Sequence, residues 1–106
     1  PMSMIEKFES MLAAGQDNAL LRFGLGQAYL KENNFAKAIE HLRAAIEHDA
    51  GYSAAWKLLG RALADSGDTP AAIAAYEQGI QTAEARGDIQ AAKEMRVFLK
   101  RLHKSD

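Results

Sequence analysis

A chain of 106 residues with 48% hydrophobic and 25% charged residues can bury one modest core and is too short for several domains. A net charge of −1 gives no overall pull toward nucleic acid or anionic lipid, and the absence of Cys excludes disulfides and thiolate chemistry. No apolar run is long enough for a membrane span, and the N-terminus lacks the basic flank and apolar stretch of a signal peptide, so a cytoplasmic location is expected.

Helix punctuation then divides the chain. Ser3-x-x-Glu6 is a capping box, and it opens a helix that carries Met4, Ile5, Phe8, Met11 and Leu12 on one face before stopping near Gly15. Asp17 or Asn18 caps a second helix, which ends near Glu32-Asn33-Asn34. A third runs from about Phe35 to His48, and Asp49-Ala50-Gly51 makes the turn that follows. A fourth starts near Ser53 and breaks at Ser66-Gly67-Asp68. Thr69-Pro70 reads as an N-cap followed by Pro at the first helical position. Gly87-Asp88 stops that fifth helix and caps the last, Ile89 to about His103, whose apolar stripe is Ile89, Ala92, Met95, Leu99 and Leu102 with Phe98 at its edge. Only the last few residues are expected to be disordered.

Residues 19–52 repeat in residues 53–86, at a period of 34. Leu25 matches Leu59, Gly26 matches Gly60 and Ala28 matches Ala62; Ala38, Ile39 and Ile46 match Ala72, Ile73 and Ile80. The shared positions are small or aliphatic, as a stack of helical hairpins requires where helices touch. Gly26 and Gly60 leave out a side chain where the first helix of a hairpin approaches the second, and Ala38 and Ala72 do so from the other side. A mid-helix Gly costs about 1 kcal/mol relative to Ala, so its recurrence points to close packing that offsets the cost.

The second unit carries Trp56-x-x-Leu59-Gly60 and then Ala72-x-x-x-Tyr76, the first Leu25-Gly26-x-x-Tyr29 and then Ala38 and Ala45. This pattern resembles the tetratricopeptide repeat. Arg22 stands where that family has Trp, Leu63 where it has Tyr, and Ala50 and Glu84 where it has a closing Pro, so the second helix of a unit is free to run on. The resemblance implies an all-α, right-handed α-α superhelix: a half-unit helix (3–15), repeat one (19–52), repeat two (53–86) and a C-terminal capping helix (88–103) in one helical-repeat domain.

No catalytic constellation is legible, so no enzyme and no cofactor are expected. His41, His48 and His103 lack metal-site spacing and read as surface or cap residues. The resemblance implies a concave groove lined by the first helix of each hairpin. By alignment it holds Leu20, Phe23, Gln27 and Lys31 in unit one, and Lys57, Leu58, Arg61 and Asp65 in unit two. Lys57 and Arg61 lie one helical turn apart, and with Gln27 they could bind a carboxylate. The Lys–Asn–Asn–Lys–Arg set with which some family members grip chaperone C-termini is incomplete here.

Two other surfaces stand out. Lys93, Arg96, Lys100 and Lys104 form a basic stripe on the last helix, with no interleaved aromatic residue to stack on bases. Met2, Met4, Met11 and Phe8 at one end, and Phe98, Leu99 and Leu102 at the other, form an apolar excess. The expected function is that of a scaffold or adaptor module binding a protein or short peptide in the groove, without nucleic acid or membrane. The competing reading is a self-assembling homodimer joined through the terminal helices.

Overall fold

The computed structural model describes residues 1–104, and these form six helices: α1 (Met4–Ala13), α2 (Ala19–Lys31), α3 (Phe35–His48), α4 (Ser53–Asp65), α5 (Thr69–Arg86) and α6 (Ile89–Lys104). Local chemistry sets most of the starts. The Ser3–Glu6 capping box is closed in both directions, at 3.1 and 2.9 Å. Asn18 and Asn34 cap α2 and α3 by accepting from Leu21 N and Lys37 N, and Asp88 accepts from Ala91 N at the start of α6. At α5 the cap is Asp68 rather than Thr69: its carboxylate accepts from Ala71 N at 3.2 Å, and Pro70 sits in the first turn, where its missing N–H would have had no partner.

The stops repeat as well. Asn33 and Gly67 hold the same place in their units, and both adopt the left-handed conformation, φ 60° and 90°. Asn is the residue after Gly that tolerates this region best. Both second helices lack the closing Pro, but only α5 runs on, over 18 residues, whereas α3 stops after 14. His103 and Lys104 belong to α6, and the rest of the tail expected to be disordered, residues 105–106, lies outside the described residues.

Packing follows the small residues. A Cβ placed on Gly26 would lie 2.5 Å from Leu42 Cγ, and one on Gly60 would run into the Tyr76 ring. The α2–α3 and α4–α5 crossings therefore depend on the bare backbone at those two points. Leu25, Leu42, Leu59 and Met95 are fully buried around them, each contributing about 1.5–3 kcal/mol by leaving water. α6 docks Met95 over Gly79, where an added Cβ would lie 2.6 Å from the sulfur. This close approach turns Ala91 and Ala92 inward and leaves Ile89, expected on the buried stripe, 54% exposed.

Successive helices pack on each other, and α2 also meets α4 and α4 meets α6, whereas α3 and α5 do not meet. The even-numbered helices thus crowd the inside of a curve, and α3 and α5 splay on its outside. The fold is a helical-repeat superhelix, with α6 continuing the inner row.

Candidate binding groove

The inner row α2–α4–α6 carries the groove residues expected from the sequence, and their neighbours sort them. Leu20 is 74% exposed. Phe23 is half-buried and stacks on Tyr52, ring centroids 5.1 Å apart, across the junction between repeats. Leu58 packs at the edge of the core. Gln27 and Lys31 face the other way along the row, lining a 420 Å3 cleft against Met4, Ile5 and Phe8 of α1.

The basic residues of α4 also separate. Lys57 donates to Glu94 of α6 at 2.7 Å, and this bond holds the Glu94 carboxyl below its usual range. Lys57 is therefore committed to α6. Arg61 is 66% exposed and reaches Asp65 only at 3.7 Å, a loose pair on a solvated helix face. Gln27 and Arg61 thus belong to opposite ends of the row rather than to one anchor. The contact from Lys57 to Glu94 was not legible beforehand, because the repeat register fails along α6 and gives no alignment for Glu94.

The basic stripe of α6 is partly engaged: Arg96 forms an ion pair with Glu84 of α5, while Lys93, Lys100 and Lys104 are exposed. The apolar excess is unequal at the two ends. α1 has no buried residue, and Met4 and Met11 are 63% and 39% exposed. Phe98, Leu99 and Leu102 pack on the second core cluster.

A polar network between α1, α2 and α3 corrects the reading of the histidines. Arg22 holds Asp17 in two bonds of 2.7 and 3.0 Å, and its third nitrogen lies 3.1 Å from His41 Nδ1. His48 adds a 3.0 Å contact to Asp17. The Arg22 bond first, then His48, draws the Asp17 carboxyl down to about 2. His41 is 2% exposed rather than at the surface, because its ring lies flat on Tyr29 at 5.5 Å between centroids. Arg can only donate, so Nδ1 accepts and Nε2 carries the proton. That Nε2–H has no partner among the described residues. Burial pushes the imidazole pKa down. Tyr29 donates to Glu9 of α1 at 2.7 Å, and this bond is the main cause of a phenol pKa raised to about 12.

Among the described residues no group of three or more His, Asp or Glu is placed to hold a metal ion, and no helix is long and apolar enough to cross a membrane. The Tetratricopeptide repeat family model matches residues 5–53 and again residues 23–89. A TPR repeat-containing protein of Pseudomonas aeruginosa, PA0015, is 54% identical over 102 residues, covering 96% of this chain and 97% of that protein. Protein BPP2914 of Bordetella parapertussis, solved in solution, superposes with a TM-score of 0.88 at 47% identity, over 100% of this chain and 92% of that one. A tetratricopeptide repeat domain protein from Salinibacter ruber superposes with a TM-score of 0.77 at 25% identity, over 83% of this chain and 89% of the other.

Proposed function

Because the chain belongs to the tetratricopeptide repeat family, whose members generally mediate protein–protein interactions and are typically non-enzymatic, we propose that it is a scaffold or adaptor binding a short partner segment on the α2–α4–α6 face. The 106 residues act in this reading as one helical-repeat domain of a half-unit, two repeats and a cap, working in the cytoplasm. Phe23 and Leu58 supply the apolar contact, Arg61 the charged anchor, and Gln27, Lys31, Lys57 and Asp65 the polar border. The observation that carries the reading is Arg61, a guanidinium 66% exposed on the inner row with only a loose partner at 3.7 Å. A contact of this size has micromolar affinity as its natural range, since ordering costs offset much of the contact energy.

A photo-crosslinking residue in place of Leu58 should capture a partner in cells that the same residue in place of Arg43, outside the groove, does not. Adding Arg61→Glu should abolish the capture. Unchanged capture in Arg61→Glu sinks the groove reading. The exposed Met4 and Met11 on a helix that buries nothing favour a second reading, a homodimer through α1. A light-scattering mass that stays monomeric as concentration rises removes it.

A further inference from the structure

The 34-residue period pairs Glu9 of α1 with Arg43, as it pairs Arg22, Tyr29 and His41 with Trp56, Leu63 and Ala75. In repeat two, Arg43 lines one cleft together with those three residues. Glu9 takes the same place in repeat one: it accepts from Tyr29 at 2.7 Å, and its charge acts on both Arg22 and His41. α1 is thus the cover over a buried imidazole. That cover is lightly held, since α1 packs on α2 alone and has no buried residue. Its apolar seat is Phe8 over Gly24, where an added Cβ would lie 2.9 Å from the ring. α2, by contrast, keeps Leu21, Leu25 and Leu30 buried.

The imidazole beneath this cover has no acceptor for a second proton. Neutral His41 accepts from Arg22 through Nδ1 at 3.1 Å, and its Nε2–H has no partner among the described residues. A proton on Nδ1 would set one N–H against another, and one positive charge against a guanidinium, at a residue 2% exposed. Burial is the largest influence on the ring and opposes its charge. Glu9 of α1 and Glu40 of α3 favour the charged form, and Arg22 of α2 and Lys37 of α3 oppose it. The Tyr29 phenol, which lies flat on the ring, is engaged with Glu9. α4 is the other helix packed on α3, and its charges Lys57, Arg61 and Asp65 are engaged with Glu94 and with each other.

We propose that α1 is a lid released by protons: when His41 takes up a second proton, α1 leaves α2 and uncovers Arg22, Tyr29 and the imidazole. In the open form the ring meets water and returns to its ordinary 6.5, so this form binds more protons than the closed one. Opening therefore grows as pH falls through the window below 6.5, by at most about tenfold per pH unit for a single proton. A released helix of 10 residues is too short to hold its shape in water, so α1 unfolds as it leaves. The same motion opens the cleft that Gln27 and Lys31 share with Met4, Ile5 and Phe8. The lid stands on the α1–α2–α3 contacts alone and does not depend on what the groove binds.

The test is a pH titration of the whole protein by NMR, reading the His41 ring carbon and the backbone amides together. The α1 amides should move toward random-coil positions with the His41 midpoint, while those of α5 stay still. His41→Gln should remove this response of α1, and His48→Gln, at the exposed contact to Asp17, should leave it in place. Linkage also runs in reverse: Phe8→Ala unseats α1 without touching the polar network, so it should raise the His41 midpoint toward 6.5, by at least about half a pH unit. An α1 response that survives in His41→Gln overturns the proposal. So does joint movement of α1 and α5, or a His41 midpoint that Phe8→Ala leaves unchanged.

Discussion

The two repeats solve the same packing problem with opposite chemistry. In repeat two, Trp56, Leu63 and Ala75 face α3, and the junction is mainly apolar, with Leu59 1% exposed beside them and Arg43 and Gln78 at its edge. In repeat one the same three positions are Arg22, Tyr29 and His41, and they form the network that reaches Asp17 and Glu9. An apolar contact is non-directional and tolerates small displacements, whereas the network works only with each donor aimed at its acceptor. The backbone path is shared because Gly26 and Gly60 keep the same bare crossing point in both repeats. Side chains at a repeat junction can therefore exchange oil for hydrogen bonds without changing the fold, provided the crossing residues stay small.

The sharpest way to probe this contrast is to empty the apolar junction. Leu59→Ala should destabilise the protein by about 2–5 kcal/mol, the range for a buried Leu that leaves a cavity, read as a lower midpoint in denaturant. Tyr29→Phe removes only the bond to Glu9 and should cost about 1–2 kcal/mol, since the acceptor is charged but the site is only partly buried. If Tyr29→Phe costs as much as Leu59→Ala, the ranking of the two junctions is wrong.

The smallest effect is expected in pH. Burial holds His41 below its usual 6.5, so below that value the unfolded chain binds more protons than the folded one. Stability should be complete above 6.5 and should decline as pH falls through the window beneath it. His41→Gln should flatten that decline and leave untouched the separate loss between 3.8 and about 2, where Asp17 takes up its proton. A decline that persists in His41→Gln assigns it to another group.

How much of this was legible beforehand depended on the range of the interaction. The crossing residues Gly26, Gly60, Ala38 and Ala72 were visible because a repeat displays its contacts twice. The helix ends were visible because caps are local; the exception, Asp68 in place of Thr69, was a one-residue ambiguity between two good caps. The burial of His41 was not visible, since it depends on Tyr29 lying parallel to it from another helix. Nor was the Lys57–Glu94 pair, which depends on α6 docking Met95 over Gly79. In the groove, the alignment located the residues on the inner row, but which of them were engaged was decided by α1 and α6, the two helices outside the full repeats.

α1 packs on α2 alone and has no buried residue. In a repeat stack, a terminal helix held by a single neighbour can detach while the rest stays folded. Its amide hydrogens should therefore exchange with solvent through an opening far less costly than global unfolding, at rates that do not track those of α4. The cleft it shares with Gln27 and Lys31 is then a transient enclosure, open for part of the time at one end of an otherwise persistent surface.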